Sequence, residues 1–92
     1  MKVLLREVAY RDLDEIRAWI AKDNPPAADR VIDRIISSTE LLGHFPYIGR
    51  TGEAFGTREW VVSGTPYIIV YMVDDKADEL TVIGIFHGRR NR

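Results

Sequence analysis

Cysteine is missing from this chain, and histidine is scarce. With no cysteine among the 92 residues, disulfide bonds and thiolate metal sites are excluded. The two histidines, His44 and His87, stand far apart in the sequence and lack the close spacing of a helical metal site. The pair Gly49-Arg50 lacks the further glycines that a phosphate-binding loop needs. The sequence therefore predicts neither a metal nor a cofactor.

Long apolar runs and an excess of either charge are also missing. No stretch approaches the roughly 20 apolar residues of a membrane helix, and the first residues, MKVLLREVAY, become charged too early for a signal peptide. The net charge is −1, so no global positive field attracts nucleic acid. We therefore expect a cytoplasmic protein with no membrane partner and no sequence-specific DNA binding by this chain alone.

What is present suits one globular domain over residues 1–92, because the hydrophobic share is 46% and the charged share 29%. Residues 2–7 resemble a short strand. Apolar residues then recur at helical spacing in two segments joined at Asn24, which is placed to cap a helix beginning at Pro25. Gly43 is placed to end that helix. The two apolar stripes comprise Leu13, Ile16 and Ile20 in the first segment, and Ala28, Ile32, Ile35, Thr39 and Leu42 in the second.

Residues 44–56 (HFPYIGRTGEAFG) are predicted to form a loop, and three strand-like runs follow it within residues 57–86: TREWVV, YIIVYMV and ELTVIGIF. We expect the loop's aromatic side chains to pin it to the core. Gly84, within the last run, predicts the close approach of another backbone. The order β-α-α-β-β-β predicts an α+β fold with a helical hairpin packed on one face of an antiparallel sheet.

The middle run is apolar on both faces, which is typical of a central strand covered on both sides. Its aliphatic face carries Ile68, Val70 and Met72, and we expect it to meet the helices. The other face carries Tyr67 and Tyr71, and we expect it to be only partly covered.

The charges near the C-terminus are segregated. The turn at 74–79 is acidic and is most simply a solvated hairpin end. The tail HGRRNR, residues 87–92, holds three arginines and no acid. It is either a frayed terminus or a cationic recognition surface.

Several phrases in this order resemble the ParE/RelE superfamily of bacterial type II toxins. They are DLDEIRAWIAKDNPPAADRVIDRI, HFPYIGR, REWVV, YIIVYMV and IGIFHGRR, and they run through nearly the whole chain. The chain is more similar to the ParE branch than to the RelE branch in the combination of NPPAA, IGR, RE, YIIVY and the final histidine followed by arginines. The resemblance implies a toxin neutralised by a cognate antitoxin, ParD-like or related, in a hetero-oligomer. It also implies DNA gyrase as the target of a ParE-type toxin, and the ribosome and its mRNA as the target of a RelE-type toxin.

Ribonuclease chemistry needs a base, an acid and a cation beside the phosphate. Glu59, Arg58 and His87 are the candidate catalytic set of that alternative. Arg58 and Glu59 are adjacent in a predicted strand, so their side chains point to opposite faces. A lone histidine at a strand end is more often structural, and the low net charge does not suit a ribosome-acting enzyme. We therefore expect a gyrase-binding toxin that is not an enzyme.

The expected contact residues fall into two groups. The target-binding surface is expected at the tail, in His87, Arg89, Arg90 and Arg92. The antitoxin-binding surface is expected at Arg58, Trp60, Tyr67 and Tyr71, where an amphipathic segment can lie in an apolar groove. Trp19 and Trp60 are otherwise most simply core or half-core residues. A non-toxic binding module or corepressor is the third reading of the same sequence.

Overall fold

Two helices lie on one face of a mixed sheet in the computed structural model, which describes residues 1–89. The elements, in chain order, are β1 (Lys2–Leu5), α1 (Glu7–Ala21), α2 (Pro25–His44), β2 (Arg50–Thr51), β3 (Arg58–Val61), β4 (Tyr67–Asp74) and β5 (Glu79–His87). Within residues 1–89, no helix is long and apolar enough to cross a membrane. The predicted α+β class and the packed helical hairpin are confirmed.

The strand order is β1-β5-β4-β3-β2. The three predicted C-terminal strands pair antiparallel, whereas β1 pairs parallel with β5, so the sheet is mixed and not wholly antiparallel. The helical hairpin returns the chain to the end of the sheet where β1 stops, so β2 runs opposite to β1, and the three antiparallel reversals that follow give β5 the direction of β1. Strand β2 lies inside the segment that was predicted to be loop.

The helical hairpin forms where local chemistry predicts it. The side chain of Asn24 accepts a hydrogen bond from the Ala27 amide at 3.1 Å, and prolines occupy the first two positions of α2. The prediction that Gly43 ends the helix is wrong, because α2 continues to His44. Gly43 is buried instead where β1 crosses the helix, and a Cβ there would lie 2.8 Å from the Val3 Cγ2 atom.

The core lies between the helices and the tyrosine face of β4. Tyr71 and Ile69 are fully buried and Tyr67 almost so, whereas Met72 on the opposite face is exposed. The expectation that the aliphatic face meets the helices is therefore wrong. The tyrosine face is buried instead because the Tyr71 hydroxyl finds polar partners at the edge of the core, which allows the large ring to be buried.

The Tyr71 phenol holds the connection between α2 and β2. It donates to the Pro46 carbonyl at 2.7 Å and accepts from the Gly49 amide at 3.0 Å. The loop's own aromatics, Phe45, Tyr47 and Phe55, are exposed, so the prediction that they pin the loop to the core is wrong. The loop is anchored by a strand residue that reaches out to its backbone.

A β-bulge interrupts the pairing of β4 with β5. Val70 lies opposite Gly84 and Tyr71 opposite Val82, which leaves Ile83 as an extra residue. The Ile85 amide beyond the bulge donates to Asp12 Oδ2 of α1 at 2.9 Å. A Cβ at Gly84 would lie 3.5 Å from the same oxygen, so the close neighbour predicted there is a carboxylate and not a backbone.

Candidate functional site

The C-terminal end of β5 places His87 on the helix-covered face of the sheet. His87 lies opposite Tyr67, and the two rings meet edge-on with centroids 5.5 Å apart. The His87 Nδ1 atom accepts a hydrogen bond from the Arg89 amide at 3.1 Å. A nitrogen that accepts carries no proton, so this contact leaves the imidazole proton on Nε2. The Gly88 amide donates to the Pro66 carbonyl at 2.8 Å, which ties the chain to the β3–β4 turn.

The bulge decides which face carries His87. Side chains alternate along a strand, so one extra residue exchanges the two faces beyond it. Leu80 and Val82 point to the core before the bulge, and Ile85 and His87 point to the same side after it. Asp12 stabilises this arrangement because it accepts a hydrogen bond from the Ile85 amide, two residues beyond the extra residue.

Two concave surfaces meet at His87. A recess of about 430 Å³ lies between α1 and the end of β5, and a groove of about 570 Å³ lies beside the β3–β4 turn. The recess is lined by acidic and aromatic side chains, including Asp12, Glu15, Trp19 and Tyr67. The groove is largely apolar and reaches Arg89. Among residues 1–89, no group of three or more His, Asp or Glu side chains is arranged to hold a metal ion.

Of the four residues expected to bind the target, the structure brings His87 and Arg89 together. Arg89 is exposed directly after the histidine. Arg90 and Arg92 lie outside the described residues.

The candidate ribonuclease residues do not converge. Glu59 lies opposite Val70 on one face of the sheet, while Arg58 and His87 lie opposite Tyr71 and Tyr67 on the other. With β4 between them, β3 and β5 are about 10 Å apart, and Glu59 and His87 are also offset by three residues, or about 10 Å, along the strands. Regular sheet spacing therefore puts their Cα atoms about 14 Å apart, too far for one scissile phosphate on one face.

Glu59 is instead engaged with β2. It is only 6% exposed, and its Oε1 accepts from Arg50 Nη2 at 2.9 Å. Sequence reasoning missed this pair, although the alternation of β2 and β3 places both side chains on one face of the sheet. Its role within the fold is to join the edge strand to the sheet.

The residues expected to bind the antitoxin are accessible to different extents. Arg58 donates to the Gly49 carbonyl at 2.8 Å and stacks over the Tyr47 ring at 4.8 Å. Trp60 packs half-buried against the core, as expected for a core or half-core residue. Trp19 is 52% exposed and is not packed against the core, so the same expectation is not met there. Trp19 lies on the recess side of α1, with Lys22 above its ring.

The two tyrosines in that expected group lie under the helices. Tyr71 is fully buried, and burial raises the pKa of its phenol, an effect that the Gly49 amide and Arg58 partly oppose. The pKa of the exposed Tyr47 phenol is also raised, first by its hydrogen bond with Asp75. Tyr67 and Tyr71 therefore support the neighbouring surface and present little side chain to a partner.

Comparison with known proteins gives consistent matches over almost the whole chain. Residues 3–92 match the family model of the ParE toxin of the type II toxin–antitoxin system parDE. A putative toxin, Y4kP, of Sinorhizobium fredii is 45% identical over 75 residues, covering 82% of this chain and 78% of the relative. Toxin RelE3 of Caulobacter vibrioides is 35% identical over 86 residues, covering 91% of this chain and 90% of the relative.

The fold is shared with solved toxin–antitoxin structures. A chain of the chromosomal ParDE system from P. aeruginosa superposes with a TM-score of 0.84 at 21% identity, covering 95% of each chain. A chain of the RelBE2 complex from Mycobacterium tuberculosis superposes with a TM-score of 0.72 at 22% identity, covering 94% of this chain and 95% of that one. At such identities the likeness concerns the fold alone, and it extends to both named systems.

Proposed function

We propose that this chain, which belongs to the family of ParE toxins of type II toxin–antitoxin systems, inhibits DNA gyrase by binding and not by turning over a substrate. The observation that carries the proposal is the separation of Glu59 from His87. The two lie on opposite faces of the sheet with β4 between them, and Glu59 is held by Arg50. Glu59 and His87, placed in this way, do not act together as base and acid on one phosphate, which favours contact over proton transfer by this pair.

The toxic surface is proposed at the end of β5. Arg89 is exposed there, and its amide is held by His87 Nδ1. Arg90 and Arg92 add two more cations in the sequence. Arginine side chains bind carboxylates and phosphates through paired hydrogen bonds, which suits both an acidic protein patch and DNA held by an enzyme.

The test is a supercoiling assay with purified DNA gyrase and relaxed plasmid. The unaltered chain is expected to inhibit supercoiling, and the variant with Arg89, Arg90 and Arg92 all replaced by alanine is expected to lose at least about tenfold in potency, since it loses three charge-assisted contacts. Arg11→Ala is the matched control, because Arg11 is exposed on α1 and pairs only at the surface with Glu7. Full inhibition by the triple variant would remove the tail from the toxic surface.

The second candidate function is a ribosome-dependent mRNA endoribonuclease. It is favoured by the 35% identical relative that bears the name Toxin RelE3. It predicts that induced expression stops protein synthesis before DNA synthesis, with cleaved mRNA, and that His87→Ala restores translation while the fold is kept. DNA synthesis failing first, with unaltered translation, would exclude it.

The antitoxin is proposed as the obligate partner of this chain. The support is that the solved chains sharing this fold include members of toxin–antitoxin complexes. Arg58 and Trp60 are the expected contact residues that remain partly accessible. Co-expression with the product of the neighbouring reading frame, followed by affinity purification of the untagged partner, tests this step.

A further inference from the structure

A tight turn at residues 52–57 connects β2 to β3 at one end of the sheet. The Gly52 amide closes the turn by donating to the Thr57 carbonyl at 2.8 Å. Thr57 is buried, and its amide and hydroxyl donate to the Ala54 carbonyl at 3.1 and 2.6 Å. Gly56 has a φ of +79°, which glycine adopts without strain. The conformation of the turn is therefore determined by contacts within the chain.

Phe55 occupies this turn and is the most exposed of the large apolar side chains within residues 1–89. Its relative exposure is 103%, so the ring takes no part in the core. A turn that already holds the ring in solvent loses little conformational entropy when a partner buries that ring. Aromatic side chains are enriched in protein interfaces, where each buries about 150–250 Å². Phe55 therefore has the properties of an interface anchor.

An open groove of about 570 Å³ lies beside this turn, on the face of the sheet that the helices do not cover. Met72 separates the two features, because it lines the groove and a Cβ at Gly56 would lie 3.5 Å from its Cε atom. From Met72 the groove extends to Thr81 of β5 and to Arg6 beyond β1, away from β3. One surface of the chain therefore carries an exposed ring on one side of Met72 and a groove on the other.

The charges around the groove are balanced. Arg6 and Lys76 line it together with Asp74 and Asp75, which gives two charges of each sign. Both carboxylates already accept a hydrogen bond within the chain. Such a groove offers little net charge to attract a strongly acidic or strongly basic partner, and it does not repel a copy of itself.

We propose that this surface forms a two-fold contact between two copies of this chain, in which each Phe55 enters the groove of the other copy. A two-fold axis that runs along β4 above Met72 exchanges the two sides of Met72 between the copies. It therefore places the turn of each copy opposite the groove of its partner, and the two Met72 side chains meet at the axis. Met72 is 37% exposed and available for this contact.

The size of the contact makes the dimer weak. Two phenylalanine rings and the groove walls that receive them bury on the order of 800 Å² in total, given the area that one aromatic side chain covers. Stable interfaces bury at least about 1,200 Å². We therefore expect a reversible dimer that is absent from dilute solution and populated between about 0.05 and 1 mM protein.

The contact lies away from the C-terminal surface and is independent of the proposed target. Met72 is five residues from Tyr67 along β4, or about 17 Å, and Tyr67 lies opposite His87. A dimer of this kind leaves His87 and Arg89 of both copies accessible. Failure of gyrase inhibition would leave this proposal unaffected, since the two are measured in different assays.

The first test is analytical ultracentrifugation of the full chain between about 0.02 and 1 mM, the range in which contacts of this size associate. The weight-average mass is expected to rise from that of one chain toward that of two. Phe55→Ala is expected to weaken self-association at least about tenfold, because a symmetric contact loses both anchors. Phe45→Ala is the matched control, since Phe45 is also exposed, at 57%, but caps the end of α2. It is expected to self-associate like the unaltered chain.

The second test locates the contact by intermolecular paramagnetic broadening. The chain has no cysteine, so Lys76→Cys places a single spin label at the groove. This copy, without isotope labels, is mixed with isotope-labelled unaltered chain in a nuclear magnetic resonance sample. The amides of residues 53–57 are expected to broaden, and dilution is expected to restore them. Lys22→Cys, at an exposed lysine after α1, is the control label and is expected to leave these amides sharp.

Four outcomes would overturn the proposal. They are the mass of a single chain up to 1 mM, equal weakening by Phe45→Ala, broadening centred on the helical hairpin or on the end of β5, and a nuclear Overhauser contact between Phe55 and the groove of its own chain in dilute solution. The first would leave the turn to a different protein, and the last would assign the groove to the chain's own ring.

Discussion

Tyr71 connects the core to the loop that brings α2 to the sheet edge, and it does so through one hydroxyl. The ring is fully buried, and its oxygen serves both the Pro46 carbonyl and the Gly49 amide. Removing the oxygen leaves both backbone groups without this partner in a part-buried position. Such groups are costly because they lose water without gaining a replacement.

Tyr71→Phe is expected to lower the free energy of unfolding by about 1–3 kcal/mol at neutral pH. Burial raises the pKa of the Tyr71 phenol above its ordinary value of about 10, so the folded state favours the neutral phenol. This stabilisation is complete below about pH 10 and declines as the pH rises further. Urea denaturation between neutral and strongly alkaline pH should show a steeper loss for the unaltered chain than for Tyr71→Phe. Tyr10→Phe, at an exposed tyrosine, should show the same pH dependence as the unaltered chain. Parallel curves of stability against pH for all three proteins would contradict the assignment of the alkaline loss to Tyr71.

The Arg50–Glu59 pair differs from an ordinary surface ion pair because its carboxylate is buried. Arg50→Met is expected to destabilise the protein by about 1–3 kcal/mol, since a buried carboxylate loses a charge-assisted hydrogen bond. Arg11→Met removes a pair whose two side chains are 67% and 82% exposed, and it should cost less than about 0.5 kcal/mol. Comparable urea unfolding midpoints for the two variants would show that burial of the Glu59 carboxylate does not require Arg50.

At the scale of elements, the helical hairpin is the part that the sequence predicts best. Asn24 and the two prolines determine the start of α2 through contacts within one turn, so no distant residue is needed to read them. The prediction of which face of β4 meets the helices is wrong because the Pro46 carbonyl, which accepts from the Tyr71 hydroxyl, lies 25 residues away in the sequence. The position of Gly43 was misread for the same reason, since β1 packs there from the other end of the chain.

The candidate site shows the same division between local and distant information. The basic composition around Arg89 is visible in the sequence, and so is the opposite direction of Arg58 and Glu59. The bulge after Val82 and its hydrogen bond with Asp12, 73 residues earlier, leave no local pattern apart from Gly84. The face that carries His87 could therefore not be derived from alternation alone.

Asp12 is expected to be the residue that keeps the bulge of β5 in place. Asp12→Ala should cost about 1–3 kcal/mol, because the Ile85 amide loses its acceptor in a part-buried position. Asp12→Asn keeps an oxygen at the same position and should retain most of the stability. Hydrogen exchange of the Ile85 amide should accelerate in Asp12→Ala only. The control is Asp14→Ala on the exposed side of α1. Equal exchange rates of the Ile85 amide in all variants would show that Asp12 does not hold the bulge in place.

At the scale of the whole molecule, β1 closes the fold by joining the first residues to the last strand. Val3 lies opposite Leu80 and packs against α2 at Gly43, where no Cβ fits without displacement. The parallel pairing of β1 with β5 therefore depends on the absence of a side chain at Gly43, where β1 packs against α2.

Gly43→Ala is expected to destabilise the protein by about 1–2 kcal/mol, because overpacking against β1 outweighs the usual gain from alanine in a helix. Combining it with Val3→Ala, which removes the Cγ2 atom 2.8 Å from the added Cβ, should cost less than the sum of the single changes. Thermal or urea unfolding of the four proteins measures this coupling. Additive losses of unfolding free energy would show that Gly43→Ala acts within α2 and not through contact with Val3.

The extra residue in β5 also has a consequence for how chains of this kind can diverge in length. An insertion or deletion of one residue between the bulge and His87 would move the histidine to the uncovered side of the sheet, even if every side chain of the tail were identical. A change of two residues would keep its side. The parity of small length differences in this strand, read from an ordinary alignment, therefore predicts which relatives present their C-terminal surface in the same direction and which have reversed it.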